Sequence, residues 1–178
     1  MKKKYVLLAL IVALGIVGYA GVEYFPKTEI KVVSETLDSI PTRRELRRSF
    51  FEKREILVIY AAKDSVLSNK YEQILKELSL LEPTDSWRSA KILYKLADEV
   101  TEENLRENVV FLLGAIQENK VLKRFIDQTP FQMNTKEIEI GSNKIPNKNS
   151  VLSVSFYPNP LMHKMPFSFM TGTNAQQV

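Results

Sequence analysis

The residue types that carry most enzyme chemistry are sparse in this chain. There is no cysteine, which removes disulfides, thiolate metal ligands, a thiol nucleophile and a lipidated N-terminal cysteine. The single histidine, His163, falls in a segment rich in Pro and Met that reads as a loop. No carboxylate stands near it in sequence, and a lone imidazole is a poor metal set. No G-x-S-x-G elbow is present to place a hydrolase serine. Neither a Walker A loop nor G-x-G-x-x-G is present to cradle a nucleotide. Asp98 and Glu99 are adjacent, and adjacent residues on a strand point apart. No catalytic residue, metal or cofactor is therefore expected.

One constellation remains. In an open parallel sheet, ligands bind beyond the carboxyl ends of the strands. The predicted strand ends carry Lys63 and Asp64, then Gly114, Gln117, Glu118 and Asn119, then Asn159, then Thr171, Thr173 and Asn174. Helices opening near Ser65 and Glu118 would aim amide N–H groups at the same rim. That arrangement suits a small polar or anionic ligand. The same residue types are also what caps and turns require.

The elements that would hold this rim can be read from the patterning. Residues 56–61 (ILVIYA) and 109–114 (VVFLLG) are continuous apolar runs of strand length, as in strands buried on both faces. Leu67, Tyr71, Ile74, Leu75, Leu78 and Leu81 recur at helical spacing after Asp64 and Ser65, which offer an N-cap. Residues 90–96 predict a second strand, and Thr101 with Glu102 and Glu103 opens a short helix. Val121, Leu122, Phe125 and Ile126 predict another helix, stopped by Pro130. Residues 137–145 alternate about Gly141 as a hairpin, residues 151–157 predict a strand, and residues 167–170 a final short one. Strands alternating with helices indicate βαβ units. The expected fold is a three-layer, flavodoxin-like or Rossmann-like α/β domain with a mainly parallel sheet and a β-hairpin insertion.

The N-terminus has a separate character. Lys2, Lys3 and Lys4 precede residues 5–22, which open on Tyr5, close on Val22 and carry no charge. Such a run is long enough to span a hydrocarbon core as a helix. The lysines would stay in the cytoplasm and send the C-terminal side outward, with Tyr5, Tyr19, Tyr24 and Phe25 at the two interfaces. The expectation is a single-pass anchor in the cytoplasmic membrane with an extracytoplasmic domain. A cleaved signal peptide is the alternative, because Gly18 and Ala20 are small residues suited to a cut after Ala20. The organisation expected is thus an anchor or signal over residues 1–25, a stalk over 26–55 and an α/β domain over 56–178. Within the stalk, Arg43, Arg44, Arg47 and Arg48 stack on one helix face, which suits an acidic partner, lipid headgroups or plain solvent.

A sequence pI near 9.2 does not imply nucleic acid. Of 25 Lys and Arg, three belong to the N-terminal segment, leaving 22 against 21 Asp and Glu. A nearly neutral domain has no broad footprint for phosphates.

Residues 107–125 (ENVVFLLGAIQENKVLKRF), 153–161 (SVSFYPNPL) and 169–174 (FMTGTN) resemble an accessory α/β module of exported bacterial hydrolases of the prolyl-oligopeptidase-like or esterase-like kind. That module has a strand ending in Leu-Phe-Gly-Thr-Pro, an Asn opening the next helix, and a later Tyr-Pro-Asn-Pro-Leu, which is matched here by residues 157–161. Ala115 and Ile116 stand where the pattern has Thr-Pro. The resemblance covers residues 56–178 and includes none of the catalytic part, so no nucleophile, acid or base transfers to this chain. It implies an exported module that accompanies enzymes. The function expected is a membrane-anchored, non-catalytic domain that binds a partner protein or small polar ligand. The alternatives are a hydrolase remnant acting around Gly114 and Asn159, or a fragment of a longer protein.

Overall fold

Residues 40–81, 90–147, 149–174 and 178 are described by the computed structural model. The first element, helix α1 (Arg43–Lys53), starts at a capping box. The Thr42 hydroxyl accepts from the Glu45 N–H at 3.3 Å, and the Glu45 carboxylate accepts from the Thr42 N–H at 2.7 Å. Leu46 and Phe50, one turn apart, form its buried face. The helix ends at Arg54, whose φ of 51° turns the chain into strand β1 (Glu55–Ala61).

Helix α2 (Ser65–Ser79), strand β2 (Lys91–Leu96), helix α3 (Glu102–Glu107), strand β3 (Val109–Gly114) and helix α4 (Lys120–Ile126) follow. Three short strands come next: β4 (Phe131–Met133), β5 (Glu137–Ile140) and β6 (Asn143–Pro146). The described elements end with β7 (Leu152–Asn159) and β8 (Met162–Thr171).

The main sheet has the order β2-β1-β3-β8-β7. Its pairs β1–β2, β1–β3 and β3–β8 are parallel, and β7 alone runs antiparallel to β8. The mixed α/β class and the mainly parallel sheet are therefore present. The fully apolar runs of β1 and β3 sit at the sheet's centre, covered on both faces. One face presents Leu57, Ile59, Val110, Leu112, Phe167 and Phe169 to α3, α4 and the small sheet, in one apolar cluster. Phe125 and Phe167 meet edge to face there, with ring centres 5.1 Å apart. The opposite face carries α1 against β7 and β8, and α2 against β2. Tyr60 meets Tyr71 of α2 there edge to face at 6.4 Å.

Several expectations are corrected. Residues 43–53 do not stand apart as a stalk helix: α1 lies on the sheet, with Leu46 and Phe50 almost wholly buried. A small residue count of apolar positions in an Arg-rich stretch hid that face. Strand β8 is ten residues long, so His163 lies exposed on a strand rather than in a loop. The turn falls after Asn159, which pairs with Met162. Residues 131–133 add a third strand to the predicted hairpin, giving the antiparallel order β4-β5-β6. Asp98 and Glu99 occupy the turn after β2, where Asp98 pairs with Lys120 at 2.7 Å.

A bulge re-aims β7. Val154 pairs with Phe169 and Tyr157 with Phe167, so Ser155 and Phe156 together face Ser168. Phe156 adopts φ 57°, its N–H donates to the buried Ser168 hydroxyl at 3.2 Å, and its ring meets Phe50 at 5.0 Å. Among the described residues no helix is long and apolar enough to cross a membrane. Residues 5–22, the expected anchor, lie outside the described residues.

Candidate functional site

At the carboxyl edge of the parallel strands, Ala61 and Gly114 end β1 and β3 in register. Chain winding reverses here, since β1 leads to β2 on one side and β3 lies on the other. Such a switch point is the usual ligand crevice of an open α/β sheet. In this chain the two backbones close on each other. A β-carbon on Gly114 would stand 2.4 Å from the Ala61 carbonyl oxygen, and Gly114 has φ 122°.

The loops above these strands are joined to each other. The Lys63 N–H donates to the Glu118 carboxylate at 2.8 Å, tying the β1–α2 loop to the β3–α4 loop. Asp64 caps α2, accepting from the N–H groups of Val66 at 2.8 Å and Leu67 at 3.1 Å. The Glu118 and Asn119 N–H groups both donate to the Ala115 carbonyl at 3.0 Å. Asn119 is wholly buried. Its Nδ2 donates to the carbonyls of Ile59 at 3.2 Å and Leu113 at 3.1 Å, and its Oδ1 accepts from the Leu122 N–H at 3.0 Å. One side chain thus fastens β1, β3 and the start of α4.

Lys63, Asp64, Gly114, Gln117, Glu118 and Asn119 are therefore brought to one edge, as expected. Lys63, Asp64 and Gln117 are exposed there, Glu118 is half-buried, and Gly114 and Asn119 are buried. Thr171 ends β8 at the same edge, buried, with its hydroxyl donating to the Gly172 carbonyl at 3.3 Å. Asn174 follows it and is exposed.

Asn159 is not at this edge. Because β7 is antiparallel, its carboxyl end pairs with the start of β8, while its own start, Leu152, pairs with Thr171. The length of β8, roughly 30 Å at strand rise, separates the two ends. Asn159 is buried and also bonded to backbone: its Nδ2 donates to the Leu105 carbonyl at 2.7 Å and its Oδ1 accepts from the Leu161 N–H at 2.9 Å. The expected grouping of Asn159 with Gly114 assumed a parallel β7.

Two features lie outside the expected rim residues. Tyr71, patterned as core, packs near the carboxyl edge; burial, with the Glu118 charge adding to it, pushes its phenol up to about 12. Burial likewise raises Tyr60, with Glu72, Tyr94 and Glu99 contributing. The second feature is on α1, where Arg44, Arg47, Arg48, Phe51, Glu52 and Arg54 line an open concavity of about 510 Å³. Among the described residues no three His, Cys, Asp or Glu side chains are grouped to hold a metal ion.

Comparison with protein-family models, with curated proteins and with solved structures finds no match.

Proposed function

We propose that this chain is a membrane-anchored, extracytoplasmic α/β domain that acts by binding a partner protein or a small polar ligand at the carboxyl edge of its sheet. The sheet is read as doubly wound and flavodoxin-like, with the switch point between β1 and β3. The location rests on the uncharged run over residues 5–22 behind three lysines. The observation that favours binding over chemistry is the use made of the edge's polar groups. Asn119, Asp64 and Glu118 spend their hydrogen bonds on backbone N–H and carbonyl groups of the loops themselves. Such an edge is a rigid, preorganised surface. Its exposed Lys63 and Gln117 suit hydrogen bonding to a polar partner.

The likeness to modules that accompany exported hydrolases fits the same reading, a domain working beside another protein. The hydrolase-remnant alternative loses its paired site, since Gly114 and Asn159 lie at opposite edges of the sheet.

Fractionation of cells expressing the full chain tests the location. Intact mass in carbonate-washed membranes is expected. A protein lacking residues 1–20 in the soluble exported fraction would overturn the anchor.

A further inference from the structure

Helix α1 has two faces with different tasks. Leu46 and Phe50 are buried on the sheet. Arg44, Arg47, Arg48 and Phe51 follow at three- and four-residue spacing, so they form one stripe along the helix. With Arg43, Lys53 and Arg54, the segment holds six cations against two carboxylates, Glu45 and Glu52.

Both carboxylates have other work. Glu45 closes the capping box on Thr42, and Glu52 pairs with Arg48 at 2.7 Å. Among the described residues no carboxylate pairs with Arg43, Arg44, Arg47 or Arg54. Arg47 lies over the Phe51 ring with its guanidinium 5.9 Å from the centroid. The result is a set of forked donors around a half-buried aromatic ring, on the rim of an open concavity.

Guanidinium groups are weakly hydrated and grip phosphate oxygens in pairs. An aromatic ring beside them suits the boundary between headgroups and acyl chains. Only nineteen residues of sequence lie between Val22 and the Thr42 cap, a contour of at most about 70 Å. A surface tethered so close to a bilayer meets it at high effective concentration.

We propose that the arginine stripe of α1 docks on the phosphate layer of an anionic phospholipid membrane. The inference rests on the proposed anchor. It adds that the domain lies against the bilayer through one defined face, Arg44, Arg47, Arg48 and Phe51. That face is built on α1 and β7–β8 rather than on the strand-end edge.

The test uses the full chain carrying Lys53→Cys, which adds the only thiol and takes a fluorescent dye. It is reconstituted in vesicles of neutral phosphatidylcholine, or the same lipid with phosphatidylglycerol, each with an acceptor dye in the headgroup layer. Energy transfer is expected to be higher in the anionic vesicles and to fall with added salt. The triple variant Arg44→Glu, Arg47→Glu, Arg48→Glu should lower the docked-to-undocked ratio by roughly a hundredfold or more. Its far-ultraviolet dichroism and melting cooperativity report whether the fold is kept. Should that variant unfold, Arg44→Gln with Arg47→Gln, which removes charge without reversing it, gives the same readout. Equal transfer in both vesicle types, from protein that floats with both through a carbonate wash, would overturn the docking surface alone. Failure to float with either would overturn the anchor and the docking surface together.

Discussion

Gly114 and Ala61 touch backbone to backbone at the centre of the sheet's carboxyl edge, and no side chain fits between them. A β-carbon at Gly114 would lie 2.4 Å from the Ala61 oxygen, and the φ of 122° is itself closed to other residues. Gly114→Ala should therefore destabilise the fold by about 3 kcal/mol or more, from backbone strain and overpacking together. Urea unfolding of the variant checks this, and a loss below about 1 kcal/mol would mean that the edge can open.

Asn119 is the fastener beneath that contact. Asn119→Ala removes the cap on α4 and both side-chain bonds to the Ile59 and Leu113 carbonyls. The expected cost is about 2–3 kcal/mol. Asn119→Asp keeps the acceptor for Leu122 but sets a buried negative charge against two carbonyl oxygens. It should cost more than the alanine variant, as measured by the same unfolding experiment.

Helix α1 should behave as part of the domain. Phe50 is buried against the sheet and meets Phe156 of the β7 bulge edge to face. Phe50→Ala should cost about 3–5 kcal/mol. It should also leave a single cooperative transition, because α1 and the sheet share one core. A loss under 1 kcal/mol, roughly a surface effect, would make the helix a separate appendage.

Alkaline pH should weaken the fold in a defined window. Burial and the Glu118 charge raise Tyr71 from 10.0 to about 12, and burial raises Tyr60 and Tyr157 in the same direction. A phenol with a raised folded pKa supports the fold fully while both states are protonated. That support fades above pH 10, where the unfolded chain ionises, and is gone as pH rises through about 12. Tyrosinate absorbance of the folded protein should lag behind that of the urea-unfolded chain. Tyr71→Phe should flatten the stability loss over the same window.

Much of this fold was legible because local signals agreed. The apolar runs of β1 and β3, the Thr101 cap and the Gly141 turn each named an element that is present. Three features were hidden for physical reasons. Strand direction depends on the partner a strand meets, so the antiparallel course of β7 carried no local mark, and Asn159 was placed at the wrong edge. The core face of α1 rests on only Leu46 and Phe50, within a stretch dominated by arginine. The bulge at Phe156 needs a positive φ from a bulky residue, against local preference, and depends on Ser168 and Phe50 to hold it. At the candidate site, the polar residues expected near strand ends, Asn159 apart, lie along the carboxyl edge. Their commitment to backbone partners could not be read, because cap, fastener and ligand donor use the same side chains.

The most direct test of the account is the side of the membrane on which the domain lies. The chain has no cysteine, so Lys63→Cys supplies a single exposed thiol at the carboxyl edge. Spheroplasts expressing this full-length variant would be treated with a membrane-impermeant maleimide, before and after lysis. Full labelling of intact-mass, membrane-bound protein before lysis is the predicted result. Labelling only after lysis would place the domain in the cytoplasm and contradict the account.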